Sequence, residues 1–315
     1  MAYVQQMKIK PRMTVGELLE EMDKCGVLGA GKLGSGAKII FNMFTDPEFT
    51  VFLSLAGPAV AGGLRLVIRD LVEMNYVDAI ITTGANIVHD LVEALGYRHL
   101  KGTSPVNDVK LRGKGIGRIG DIYVEQKAFE ALEKSAYRIL DELPERRRER
   151  IAVYELVEEI GKKLKDSNSI LAKAAEHNVK IFSPAFLDSM IGLNLWTYGQ
   201  TNKLRVDPML DMNKLIEIAM EAKKTGAIIL GGGVPKHHVL VANILREGMD
   251  AAVQITMDRP EPGGLSGAPL EEAISWRKIR ETGKFVTITG DMVTYFPLLI
   301  TAVLEKIEKS KNKRS

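Results

Sequence analysis

A single cysteine, Cys25, stands in this chain, so no internal disulfide can form and a reducing compartment is expected. Cys25 falls in a helix-forming stretch and is expected to pack in the core. No apolar run is long enough to span a bilayer. The stretch Met1–Lys10 lacks the apolar segment of a secretory leader. A cytoplasmic protein with no membrane association is therefore expected. Excess charge of one sign is also missing, because 43 Lys+Arg nearly balance 40 Asp+Glu and leave a net charge of +3. So slight a basic bias argues against nucleic acid as a partner. Disorder is excluded by a hydrophobic content of 45%.

What is present is an alternation of short apolar runs with helical patterns. Thr14 and Glu17 have capping-box spacing ahead of Val15, Leu18, Leu19 and Met22, which predicts a helix over Val15–Cys25 that stops near Gly26. Phe49–Leu55 is a β-rich run closed by Ala56-Gly57-Pro58, and an apolar helical pattern follows to Met74. Val77–Ile81 ends in Thr82-Thr83-Gly84, with a helix over Ile87–Leu95 behind it. The unit recurs at Lys180–Phe182, Ala227–Leu230, Ala251–Ile255 and Phe285–Ile288, the last followed by a helix toward Lys309. Such alternation predicts an α/β fold, a parallel sheet with helices on both faces. The expected division is an N-terminal helical segment over 1–45 and one larger domain over 46–315. The stretch Lys127–His177 reads as helical, with Pro144–Arg150 a solvated turn and helix start. Lys309–Ser315 reads as a frayed basic tail.

In open α/β sheets ligands bind beyond the carboxyl ends of the strands, where glycines let backbone amides approach a phosphate and helix N-termini favour its charge. A nucleotide is the natural ligand class, although glycine also closes βα turns for purely structural reasons. Gly29-Ala30-Gly31-Lys32-Leu33-Gly34 matches a dinucleotide fingerprint but follows a helix instead of a strand, and reads as a helix-to-helix turn. Gly113–Gly117 reads as a turn before a strand over Ile119–Val124. The loop Pro262–Ala268 is glycine-rich and expected to be flexible. It leads into Glu271–Arg280, read as a helix that puts Glu272 and Trp276 on one face with Lys278 less than two turns beyond. A lysine whose pKa is lowered can form imines, and a tryptophan can wall an alkyl-ammonium ligand. Read alone, a lysine at position 278 is far more often a surface helix residue than a nucleophile. His237 and His238 are adjacent and face apart, unlike a metal pair; one could be a general base, or both could be capping or core residues.

Five stretches resemble the deoxyhypusine synthase family: TTGANIVHDL (82–91), FSPAFLD (182–188), GGGVPKHH (231–238), SWRKIR (275–280) and GDMVTYFPLLI (290–300). They run in the family's order. The resemblance implies a Rossmann-like NAD-binding domain over 46–315 and a homotetramer with active sites between subunits. It implies hypusine biosynthesis: NAD takes a hydride from spermidine, an enzyme lysine carries the 4-aminobutyl group as an imine, and a lysine of translation initiation factor 5A receives it. On this chain the imine lysine falls on Lys278 and the base on His237. NAD contacts fall on Gly57, Pro58, Ala59, Val60, Ala61, Thr83, Gly84, Asp188, Asp291 and Met292. Polyamine contacts fall on Glu272 and Trp276, with Gly232, Gly263 and Gly264 beside the substrate. The chain departs from the better-known eukaryotic members at Leu193 and Leu265, where carboxylates hold the polyamine amines, and at Val241 in place of asparagine. Val88 and His89 stand where an acidic pair follows the TTG turn, and Arg277 replaces a glycine before the lysine. Two other readings stay open: an aminobutyltransferase that makes a free polyamine such as homospermidine, and a non-catalytic NAD-binding homologue.

Overall fold

The computed structural model describes residues 3–312. Elements follow in chain order: α1 (Val15–Cys25), α2 (Leu28–Thr45), β1 (Phe49–Leu55), a π-helical turn (Val60–Leu64), α3 (Arg65–Glu73), β2 (Ala79–Thr82), α4 (Gly84–Ala94), β3 (Leu100–Lys101), α5 (Asp108–Gly113), β4 (Ile116–Ile119) and β5 (Ile122–Glu125). Then come α6 (Lys127–Glu142), α7 (Glu145–Arg148), α8 (Val153–Lys163), α9 (Ile170–Glu176), β6 (Lys180–Phe182), α10 (Met190–Gly199) and α11 (Pro208–Glu221). The chain closes with β7 (Lys224–Leu230), α12 (Gly233–Ala242), β8 (Met249–Thr256), α13 (Glu272–Ser275), β9 (Ile279–Thr289) and α14 (Met292–Asn312). The protein is α/β, as the alternation predicts. It forms two compact units, one of the residues up to Leu55 together with those from Ile216, the other of Ala56–Leu215.

In the first unit β1, β7, β8 and β9 pair in that order, all parallel. The register sets Leu53, Ile228, Val253 and Val286 in one line across the strands. β7 and β8 are buried almost end to end, with Ala227–Leu230 fully inaccessible. Burial on both faces is why these strands read as continuous apolar runs and not as alternating ones. α1, α2 and α14 pack on one another, and α2 and α14 also meet the strands. The Thr14 hydroxyl caps α1 and donates to Glu305 of α14 at 2.7 Å, while Glu17 returns to the Thr14 amide.

Several sequence expectations need correction here. Gly29–Gly34 is no turn: it lies inside α2, and the break falls at Gly26, a left-handed residue that ends α1. A side chain on Gly31 or Gly34 would collide with the backbone of Gly26 or Asp23, so these glycines serve close helix contact. Cys25 is half-buried, outside the core. α14 runs on through Asn312, so the tail is helical there, and its last three residues lie outside the described ones. Among the described residues no helix is long and apolar enough to cross a membrane.

The second unit holds the parallel pair β2–β6 and a small antiparallel sheet, β3–β5–β4. The strand expected over Ile119–Val124 is instead a hairpin, folded at Gly120 with φ 59°. Lys127–His177 is helical as expected, through α6 to α9. Asp90 on α4 organises the packing. Its carboxylate is 1% exposed and accepts from Arg65 Nε at 2.6 Å, the Ser169 hydroxyl at 2.6 Å and the Ile170 and Leu171 amides at 3.1 and 3.0 Å. It thereby pairs a buried guanidinium and caps the first turn of α9. Removing one partner strands the other's charge, so Asp90→Ala should cost about 3–5 kcal/mol, read from urea unfolding. A loss under about 1 kcal/mol would mean that Asp166, 2.8 Å from Arg65, suffices by itself.

Candidate active site

In the first unit the turns that follow β7 and β8 build one cluster. β7 ends in Gly231-Gly232-Gly233, and α12 starts at once. Gly233 has φ 59°, and a side chain on Gly232 would strike Ser266. Glycine is therefore required on two counts, conformation and space. The Gly233 amide donates to the Ser266 hydroxyl at 2.7 Å. Gln254, fully buried on β8, donates to the carbonyls of Gly231 and Ser266 at 3.0 and 2.9 Å. The loop is thus not uniformly free. Pro262–Gly264 is exposed, with open space around Gly263 and Gly264, but the stretch from Leu265 to Ala268 is tied down.

The segment that carries Lys278 differs from expectation. α13 spans only Glu272–Ser275, Trp276 is its C-cap, Arg277 is left-handed with φ 54°, and the chain joins β9 at Ile279. Glu272 and Trp276 share no continuous helix face, because the β-rich run from Ile279 is claimed by pairing with β8. Lys278 sits in the step between turn and strand. Its amide donates to Ala273 and its carbonyl accepts from Met249, which fixes the backbone on both sides. Its Nζ lies 5.4 Å from the centroid of the Trp276 ring. Trp276 is 68% exposed, and the Glu272 carboxylate is exposed with no hydrogen bond or ion pair among the described residues.

The histidines do face apart. His237 is exposed, and burial and then the Lys278 charge lower its pKa. His238 points inward, its Nε2 buried without a partner, and burial followed by His237 pushes its pKa down to about 4. Lys236, between Pro235 and His237, is 2% exposed. No sequence expectation had singled it out, since burial of a lysine leaves no mark in residue type. Leu265 and Val241 also belong to this unit, the first at the margin of exposure and the second half-buried. Asp291 accepts from the Val293 and Thr294 amides and the Thr294 hydroxyl, so its carboxylate caps α14; Met292 beside it is half-buried.

The second unit holds the other predicted cofactor residues. Gly57, with φ 64°, and Pro58 open the turn; Ala59 and Val60 are buried and Ala61 half-buried. The Val60 amide donates to Asn86 Oδ1 at 3.2 Å, and Asn86 Nδ2 donates to the Thr83 hydroxyl at 3.3 Å. Asn86, absent from the predicted set, so joins the turn to the N-terminus of α4, which Thr83 caps. Gly84 is buried against Ser189. Asp188 is exposed with an unbonded carboxylate, and the N-cap of α10 is Ser189 instead. The hydroxyl of Ser183, at the carboxyl end of β6, is buried without a partner. A helix N-terminus, a turn whose backbone is accessible at Gly57, a carboxylate able to accept from ribose hydroxyls and an unsatisfied hydroxyl form a set of polar groups that suits a dinucleotide. His89, which stands where an acidic pair would follow the TTG turn, is 7% exposed and contacts His99 at 2.9 Å; Glu93 holds His99 at 2.9 Å. Leu193 is exposed on α10.

With this geometry in hand, comparison with known proteins is decisive. The sequence model of the deoxyhypusine synthase family matches residues 17–303. The chain belongs to the deoxyhypusine synthase family. A relative named "Probable deoxyhypusine synthase" in Methanothermobacter thermautotrophicus is 44% identical over 96% of this chain and 98% of its own length. Another of the same name, from Methanopyrus kandleri, is 44% identical over 94% of this chain and 95% of its own. A crystal structure titled as a "putative deoxyhypusine synthase" from Entamoeba histolytica shares the fold, with TM-score 0.65, 20% identity and coverage of 92% and 93%.

Two outcomes follow from these geometries. Arg277 occupies a left-handed position where glycine is free of strain, and its side chain makes no hydrogen bond or ion pair among the described residues. Since that conformation costs a non-glycine residue about 1–2 kcal/mol and glycine loses up to about 1 kcal/mol of chain entropy, Arg277→Gly should stabilise by up to about 1 kcal/mol in urea unfolding. A loss of stability would show that the arginine side chain holds something. The buried histidines set a pH dependence. Burial and then His99 hold His89 at about 4, as burial and His237 hold His238, against an ordinary value of 6.5. Between these values the unfolded chain binds more protons than the folded one, so stability is full above about pH 6.5 and falls toward pH 4. Urea midpoints measured from about pH 7 down to about pH 5 should drop, and His89→Gln with His238→Gln should flatten the slope. An equal slope in the double variant would remove these two residues as the cause.

Proposed function

We propose that this chain is an NAD-dependent, cytoplasmic transferase that moves the 4-aminobutyl group of spermidine, by way of an imine on Lys278, to a lysine of translation initiation factor 5A. The observation that carries the reading is the grouping of Lys278 over Trp276, with the unpaired carboxylate of Glu272 and the exposed imidazole of His237 on adjoining turns. Family membership supports it.

Bound NAD supplies the acceptor, and later the donor, of the hydride that the donor amine loses and the product regains. Gly57–Ala61, Thr83, Gly84 and Asp188, all in the second unit, would hold it. The chain's own residues do the rest. Glu272 pairs with a substrate ammonium, and Trp276 walls the alkyl segment. His237, whose pKa lies below the ordinary histidine value, takes up the proton released from the amine as it is oxidised. Unprotonated Lys278 then adds to the imine carbon. The bond from that carbon to the propyl-side nitrogen breaks, the nitrogen leaves with a proton as 1,3-diaminopropane, and Lys278 keeps the aminobutyl group through a C=N bond. The acceptor lysine displaces Lys278 by the same exchange, so no metal is required. The exposed apolar residues Leu187, Met190, Leu193 and Trp196 on and before α10 support assembly as a homotetramer.

The test is borohydride trapping with NAD and labelled spermidine, followed by peptide mapping. Label is expected on Lys278. Lys278→Arg should lower transfer by at least about a thousandfold, because guanidinium stays protonated and cannot form the imine, while the NAD-induced rise in melting temperature persists. Label on another lysine, or transfer by the arginine variant, would refute the mechanism.

A further inference from the structure

Lys236 is among the largest fully buried side chains of the protein, and among the described residues no carboxylate pairs with it. Its ammonium donates instead to two backbone carbonyls of the loop that precedes α13, Leu265 at 3.0 Å and Ala268 at 2.6 Å. Two neighbours grip the residues between these. Gln254 donates to the Ser266 carbonyl and the Gly233 amide donates to the Ser266 hydroxyl. Beyond the clamp, the Leu270 amide donates to Thr287 of β9 at 3.1 Å. The loop is therefore fastened from Leu265 to Leu270, and the segment with Glu272, Trp276 and Lys278 begins where the fastening ends.

Packing alone does not call for a lysine here. A buried ammonium held only by neutral acceptors is costly, and methionine or leucine would fill the same space without that cost. Burial pushes the Lys236 pKa down to about 8; the Glu272 charge opposes that shift and the Lys278 charge adds to it, so the three groups feel one another. What the ammonium supplies, and an apolar residue cannot, is a set of donors that reaches two carbonyls three residues apart, those of Leu265 and Ala268. Those carbonyls belong to a glycine-rich loop that has no regular structure to satisfy them.

We infer that Lys236 is a positioning residue, whose ammonium clamps the Leu265–Ala268 backbone and so holds the turn that presents Lys278 and Trp276 in one geometry. The kinetic part of this inference rests on the proposed lysine chemistry; the structural part does not. Its consequence is specific. Releasing the clamp loosens residues 262–276 without loosening β7 or β8, and the misplaced Lys278 forms its imine slowly while the cofactor binds as before.

Lys236→Met keeps the volume and removes the donors. Amide hydrogen exchange on the unliganded protein should quicken by at least about tenfold across 265–276, with β7 and β8 as protected as in the parent. Formation of the borohydride-trapped adduct should slow by about tenfold to a hundredfold in kcat, with a smaller change in spermidine KM and an unaltered NAD-induced melting shift. Unchanged loop exchange would overturn the inference. So would an equal loss of protection in β7 and β8, which would make Lys236 a core-packing residue. If Lys236→Met does not fold, Ser266→Ala removes the neighbouring fastening at a half-buried site. Faster loop exchange with slower adduct formation is expected there too, and a loosened loop with parent-like adduct formation, or a loop that does not loosen, would overturn the inference. Failure of the parent protein to form any adduct would defeat the proposed function instead, and leave the exchange result to decide on the clamp.

Discussion

Strands β7 and β8 have no solvent face, and most of what distinguishes this protein follows from that. A strand buried on both sides must find every hydrogen-bond partner in its neighbours, so β7 and β8 are parallel-paired on both edges. Parallel pairing aligns the carboxyl ends of the strands and forces each connection to cross back over the sheet. The glycine turn after β7 and the long loop after β8 thus arrive at the same end. Gln254, a fully buried polar side chain on β8, is positioned to tie one to the other.

Lys278 is delivered by the same constraint. The residue before it is left-handed and the residue after it is committed to β9, so the backbone around the lysine is held from both sides. Its half-buried side chain lies over an exposed indole. The imine relay proposed for Lys278 would benefit from a backbone fixed in this way. The local cost is a strained arginine and a buried ammonium, features kept where precise placement outweighs stability.

The division between what was legible and what was not runs along physical lines. The helix α1 and its capping box were readable because every contact that defines them lies within a few residues. Apolar strands were readable because burial on both faces leaves a composition, not a periodicity. The four-residue α13 was misread as part of a longer helix, since the pattern from Glu271 to Arg280 satisfies helical spacing and only pairing of Ile279 onward with β8 breaks it. The glycines of α2 were misread as a turn because close helix contact and turn formation call for the same residue. Asp291 and Asp188, equivalent in sequence terms, separated in the fold: one spends its oxygens on a helix cap and the other keeps them free.

By itself the sequence determined the α/β class, the turn residues at the strand ends, and the likeness of five stretches to one family, because propensity, patterning and motif identity are local properties of the chain. Tertiary structure alone decided which lysines matter in which way. Lys236 and Lys278 are the same residue type, each beside a cluster that reads as chemistry. One is enclosed and bonded to carbonyls contributed from 29 and 32 residues away, and the other is left at a turn over an indole. Burial and partner choice depend on atoms distant in the sequence, and it is these that enclose one ammonium among backbone carbonyls and leave the other beside an exposed ring.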